Sequence, residues 1–171
     1  MTTRDQAFKW LCYALGVLPV WLAETLLLSR VPFLGTVPVL LPLAAIAAAQ
    51  WEGAGFGALF GLCVGVIADA TYPGVPGGMT LGLCLLGWLT GAMSQYGVQR
   101  NFLGYLLCST LGMGLLELAR VAWCLVTKLG PLEAVALVAL KEGLWSLFFV
   151  IFLYPLFKLI HRKVGPQRMG G

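Results

Sequence analysis

The sequence predicts an all-α, polytopic membrane protein: a bundle of about six transmembrane helices with both termini in the cytoplasm. Three observations carry that expectation. The 171 residues are 60% hydrophobic and only 11% charged, with a mean hydropathy of +0.90, far above what a water-soluble core needs. The segments 31–51, 53–68, 70–99 and 143–157 carry no Asp, Glu, Lys or Arg at all. Most of the Lys and Arg residues fall where a positive-inside arrangement puts them.

Each span follows from an apolar run and a local break. A spanning helix needs about 20 mostly apolar residues, and the segments 10–28, 33–50, 54–70, 79–96, 102–126 and 132–157 meet that need. The first follows Arg4 and Lys9 as a signal peptide would, but it is long for one and no small-x-small cleavage site follows, so it is read as a retained helix. Arg30 and Pro32 separate it from the second, in which Pro38 and Pro42 remove backbone donors and impose a kink. Trp51, Glu52 and Gly53 open the third, and a Pro/Gly turn over 72–78 opens the fourth. The segments 97–101 and 127–131 set off the last two. Every connection is short, so residues 1–171 form a single integral membrane domain.

With the N-terminus inside, Arg4, Lys9, Arg100, Lys158, Arg162, Lys163 and Arg168 lie on the cytoplasmic side, while the outer loops hold only Arg30 and Lys128. Trp10, Trp51 and Tyr96 then fall near the inner interface and Trp123 near the outer one. The formal charge of +4 is thereby explained by topology, and no basic patch with interleaved aromatics points to nucleic acid. His161 sits beside Arg162 and Lys163 in a tail expected to be solvated.

Two patterns inside the spans stand out. Gly53, Gly57, Gly61 and Gly65 recur every four residues and lead to Asp69, with a weaker echo at Gly87 and Gly91. A strip without side chains lets backbones approach closely, which is what drives helix association where lipid removes the hydrophobic effect between helices. Another helix is expected on that strip, from within the bundle or from a separate protein. Glu24, Asp69, Glu117, Arg120, Lys141 and Glu142 lie in or at the ends of spans, all in the outer half. Each would cost about 2.5–3.5 kcal/mol at the bilayer centre if left facing lipid, so an inward polar network is expected. Glu117 and Arg120 share a helix face, and Asp69 is the natural partner for Lys141. Such charges either fix helix register or line a pocket open to the outside.

No enzyme is indicated. The zinc-protease, serine-hydrolase and nucleotide-loop motifs are absent. Cys12, Cys63, Cys84, Cys108 and Cys124 stand singly, without C-x-x-C spacing or a neighbouring His, which argues against a metal centre or a disulfide framework, and no cofactor is expected.

Glu52-Gly53, then Gly57 to Leu62, Ile67-Ala68-Asp69, Pro76-Gly77-Gly78 and Leu81-Gly82 together resemble the central signature of the MreD family of rod-shape-determining proteins. The resemblance covers about residues 52–91 in motif and most of the chain in plan, including the last helix closing in Leu153-Tyr154-Pro155-Leu156 before a basic tail. It implies a non-enzymatic scaffold of the bacterial elongasome or rod complex in the cell inner membrane, involved in cell shape and sidewall peptidoglycan synthesis. Its implied partners are an MreC-like bitopic protein, RodA and a class B penicillin-binding protein. The substrate-binding S components of energy-coupling-factor vitamin transporters look similar in length and plan and remain the alternative, although no clear alanine-x-x-x-alanine motif occupies residues 11–19.

Overall fold

In the computed structural model the described residues are 3–27, 30, 36, 38–72, 77–96, 101–127 and 132–164. They are helical almost throughout. The helices are α1 (Thr3–Leu22), continued by one π-helical turn over Ala23–Leu27, then α2 (Leu41–Glu52), α3 (Ala54–Thr71), α4 (Gly78–Tyr96), α5 (Phe102–Thr127), α6 (Leu132–Phe148) and α7 (Val150–Val164). Among the described residues three helical stretches are long and apolar enough to cross a membrane: 6–26, 54–71 and 102–127. A fourth is present if α6 and α7, bent by 49°, count as one span.

The expected segment 33–50 is helical only from Leu41 onward. Residues 31–35 and 37 lie outside the described set, while 38–40 are non-helical. Pro42 sits in the first turn of α2, where a missing amide costs nothing, and Pro38 falls just ahead of it. The 12-residue helix rises only about 18 Å at 1.5 Å per residue, against a hydrocarbon core of about 30 Å. Leu41 to Gln50 are all buried, and a helix apolar on every side belongs in the middle of a bundle. Its alanines at 44, 45, 47, 48 and 49 let α1, α3, α4, α5 and α7 all come against it.

The expected single helix 132–157 is instead broken at Phe149. Ser146 explains part of the bend. Its hydroxyl donates back to the Glu142 carbonyl at 2.7 Å and accepts the Val39 amide at 2.8 Å, a pattern that bends helices. The Phe149 amide then bonds to the Ser146 carbonyl at 3.0 Å, one residue tighter than an α-helical bond. Pro155, which has no N–H to offer, lies one and a half turns further on.

Contacts fix how the ends align. Lys9 and Tyr13 of α1 and His161 of α7 all reach Glu52, the last residue of α2. At the other end Glu24 meets Leu40, and the Trp21 indole donates to the Thr71 hydroxyl at 3.1 Å. Thus α1 and α3 run together and α2 runs against both. The core is built around Tyr13, Ile46, Phe60, Leu83, Tyr105 and Phe157. Outward along α5 stand Leu103, Leu107, Leu111, Leu115 and Leu118, an exposed apolar ridge one helical turn apart that is compatible with a membrane-facing surface.

Candidate functional site

The glycine strip is consumed inside the bundle by α4. A Cβ at Gly57 would run into the Gly87 carbonyl, one at Gly61 into the Leu83 carbonyl, and one at Gly65 would lie 2.5 Å from the Thr80 Cα. The contact is reciprocal, since Gly87 faces the Gly57 backbone and Gly91 the backbone of Gly53 and Ala54. Backbone meets backbone along the whole pair. Gly53 itself is not helical: its φ of 94° makes it the hinge between α2 and α3, a conformation that disfavours any side chain.

Asp69 finishes the same pair in a different way. Its Oδ1 accepts the Met79 amide at 3.1 Å, and its Oδ2 accepts the Thr80 amide at 3.0 Å and the Thr80 hydroxyl at 2.5 Å. These are free amides at the start of α4, so Asp69 caps the helix that packs against its own. Lys141, its expected partner, is not joined to it: a carboxylate answered by two amides and a hydroxyl needs no cation. Glu24, only 2% exposed, plays a parallel part, accepting the Leu40 amide at 3.0 Å at the start of α2.

The remaining charges form a smaller group than the expected network. Arg120 donates to Glu142 Oε2 at 2.5 Å and stands 3.5 Å from Glu117 Oε2, an ion-pair distance without hydrogen-bond geometry. Arg120 therefore bridges α5 and α6. It is half-exposed, while both carboxylates are largely covered. Asp69, Glu117, Arg120 and Glu142 all border one cavity of about 330 Å³, together with Tyr72 and Trp123. Glu24 and Lys141 are not on its wall.

A second polar cluster sits at the opposite end. Glu52 forms an ion pair with Lys9, accepts the Tyr13 hydroxyl at 2.8 Å and lies 3.0 Å from His161 Nδ1. The His161 ring also stacks on Trp51, with centroids 5.1 Å apart. His161 is thus part of the packed structure and not of a solvated tail, because α7 stays helical to Val164 and carries the ring back over the end of α2. Burial by itself pushes the Glu52 carboxyl up; the hydrogen bonds from His161, Lys9 and Tyr13 and the Lys9 charge outweigh it and hold the group at about 2. Its partners Tyr13 and His161 lie 39 and 109 residues away along the chain, so no local pattern in the sequence pointed to this cluster.

Compared with known proteins, the chain matches no family model, no curated protein and no solved structure.

Proposed function

We propose that this chain is a non-enzymatic, multi-pass scaffold of the bacterial plasma membrane, acting in the rod complex that elongates the cell. In this reading it holds an MreC-like bitopic protein beside RodA and a class B penicillin-binding protein, and so helps direct sidewall peptidoglycan synthesis. One observation supports it above the others. The residues that carry the resemblance to the MreD family, about 52–91, are those that do the structural work here: the Gly53 hinge, the backbone contact of α3 with α4, and the Asp69 cap. A signature explained by rigidity suits a protein whose task is to hold others in place.

The test is depletion in a rod-shaped host, combined with purification of the tagged chain. Loss of rod shape, with a bitopic partner co-purifying from wild-type cells, is the expected result. Cells that remain rods after depletion would remove the reading.

A second reading, a substrate-binding membrane subunit of a vitamin transporter, is favoured by the cavity beside Arg120. Such a subunit keeps a small molecule through detergent extraction, whereas a scaffold does not need one.

A further inference from the structure

We infer that the cavity lined by α2, α3, α4, α5 and α6 binds a small organic cation, an ammonium or amidinium head on a body about the size of one aromatic ring. Its volume of about 330 Å³ falls at the small end of ligand pockets, which run from about 300 to 1,000 Å³. Much of the wall is apolar, from Val39, Met79, Met113 and Leu116, with a few polar groups converging on it.

Two of those polar groups are incomplete. Glu117 Oε2 and the Tyr72 hydroxyl are both buried, and neither has a partner in hydrogen-bond geometry, the Arg120 guanidinium standing 3.5 Å from Glu117 Oε2 as an ion pair only. Both residues line this one cavity. Buried polar atoms in folded proteins are nearly always paired, so two unpaired atoms on one cavity wall point to a partner that the chain itself does not supply. Glu117 can only accept when ionised, so its missing partner is a donor.

The sign of the charge follows from the neighbours. Among the described residues Arg120 is the single cation on the wall, and it is shared between Glu117 and Glu142. Asp69 is already answered by the amides at the start of α4. Three carboxylates thus face one guanidinium among the described residues of the wall, an excess of negative charge that favours a cation and repels an anion even where Arg120 and Trp123 leave the site partly open. The Trp123 ring, also on the wall, offers a face of the kind that attracts organic cations.

The inference rests on the cavity and not on the scaffold reading, which stands or falls by cell shape. Its test uses the full chain in detergent micelles, titrated by calorimetry with phenethylammonium, the neutral phenethyl alcohol and the anionic hydrocinnamate. Saturable binding of the amine, with the alcohol and the acid at least tenfold weaker, is expected. Glu117→Gln should weaken the amine at least tenfold. Ala119→Phe, which fills the cavity from α5, should abolish binding while leaving the elution volume unchanged. No saturable amine binding, equal uptake of all three compounds, or amine binding unchanged by Ala119→Phe would overturn the assignment.

Discussion

His161 Nδ1 lies 3.0 Å from Glu52 Oε1, so the last helix of the chain is anchored to the end of its most buried one. Lys9 and Tyr13 complete the anchor from α1. Three helices distant in sequence therefore meet on one carboxylate whose side chain is only 8% exposed. Removing one partner of a buried ion pair costs about 3–5 kcal/mol. Lys9 can straighten toward water once released, which moves the expected loss for Glu52→Ala to the lower end of that range. Thermal unfolding in detergent should show it, with His161→Ala costing less because Lys9 and Tyr13 remain.

The same carboxylate makes stability depend on pH. Its folded-state pKa, about 2, lies well below the 4.5 of an ordinary glutamate. A depressed carboxylate contributes its full stabilisation above the unfolded value and loses it as pH falls through the folded one. Melting temperature should therefore fall between about pH 4.5 and pH 2, and that part of the fall should vanish in Glu52→Gln. An unchanged acid limb in the variant would show that Glu52 is not its source.

Glycines should divide into two classes. Gly61→Ala pushes a methyl into the Leu83 backbone, which cannot rotate away as a side chain can, and overpacking of this kind costs about 1–3 kcal/mol or more. Gly55 and Gly114 have nothing within 4 Å of the added carbon, so Ala at either should be neutral or stabilise by about 0.4–1 kcal/mol. Unfolding midpoints of the three variants decide the matter. Equal losses at Gly55 and Gly61 would mean that the α3–α4 contact is not the cause.

Asp69 should behave as a helix cap and not as half of an ion pair. Asp69→Ala should cost about 0.5–2 kcal/mol and speed hydrogen exchange at the amides of Met79 and Thr80, which it accepts. Asp69→Asn keeps an acceptor and should recover most of the loss. Lys141→Met should leave those amides as protected as in the wild type.

The bridge between α5 and α6 should show as coupling. Arg120 is half-exposed, which screens part of the interaction. A double-mutant cycle of Arg120→Gln with Glu142→Gln should give a coupling near the lower end of the 0.5–3 kcal/mol found for neighbours in contact, about 0.5–1 kcal/mol. Additive effects would break the bridge as an account of that site.

What the sequence discloses depends on how far a contact reaches. The glycine strip was legible because its period is local and its meaning, close approach of a second helix, is physical; that α4 is that helix follows from Gly87 and Gly91 standing in a complementary register. The shortness of α2 was foreshadowed by Pro38 and Pro42, which disturb the segment in which they fall. The role of Asp69 was misread because charge suggests a cation, whereas its partners are backbone amides that every residue type carries. The bend near Phe149 involves the Val39 amide reaching Ser146 from 107 residues away, and the Glu52 anchor involves His161 from 109 residues away. No local pattern encodes such meetings.

The whole account rests on helices that cohere in lipid through bare backbone and matched internal polar groups. Alkaline carbonate washing of membranes from expressing cells tests this most directly. The chain should stay in the pellet and leave it only with detergent, as a single folded species. Its release into detergent-free buffer as a monodisperse protein would contradict the account.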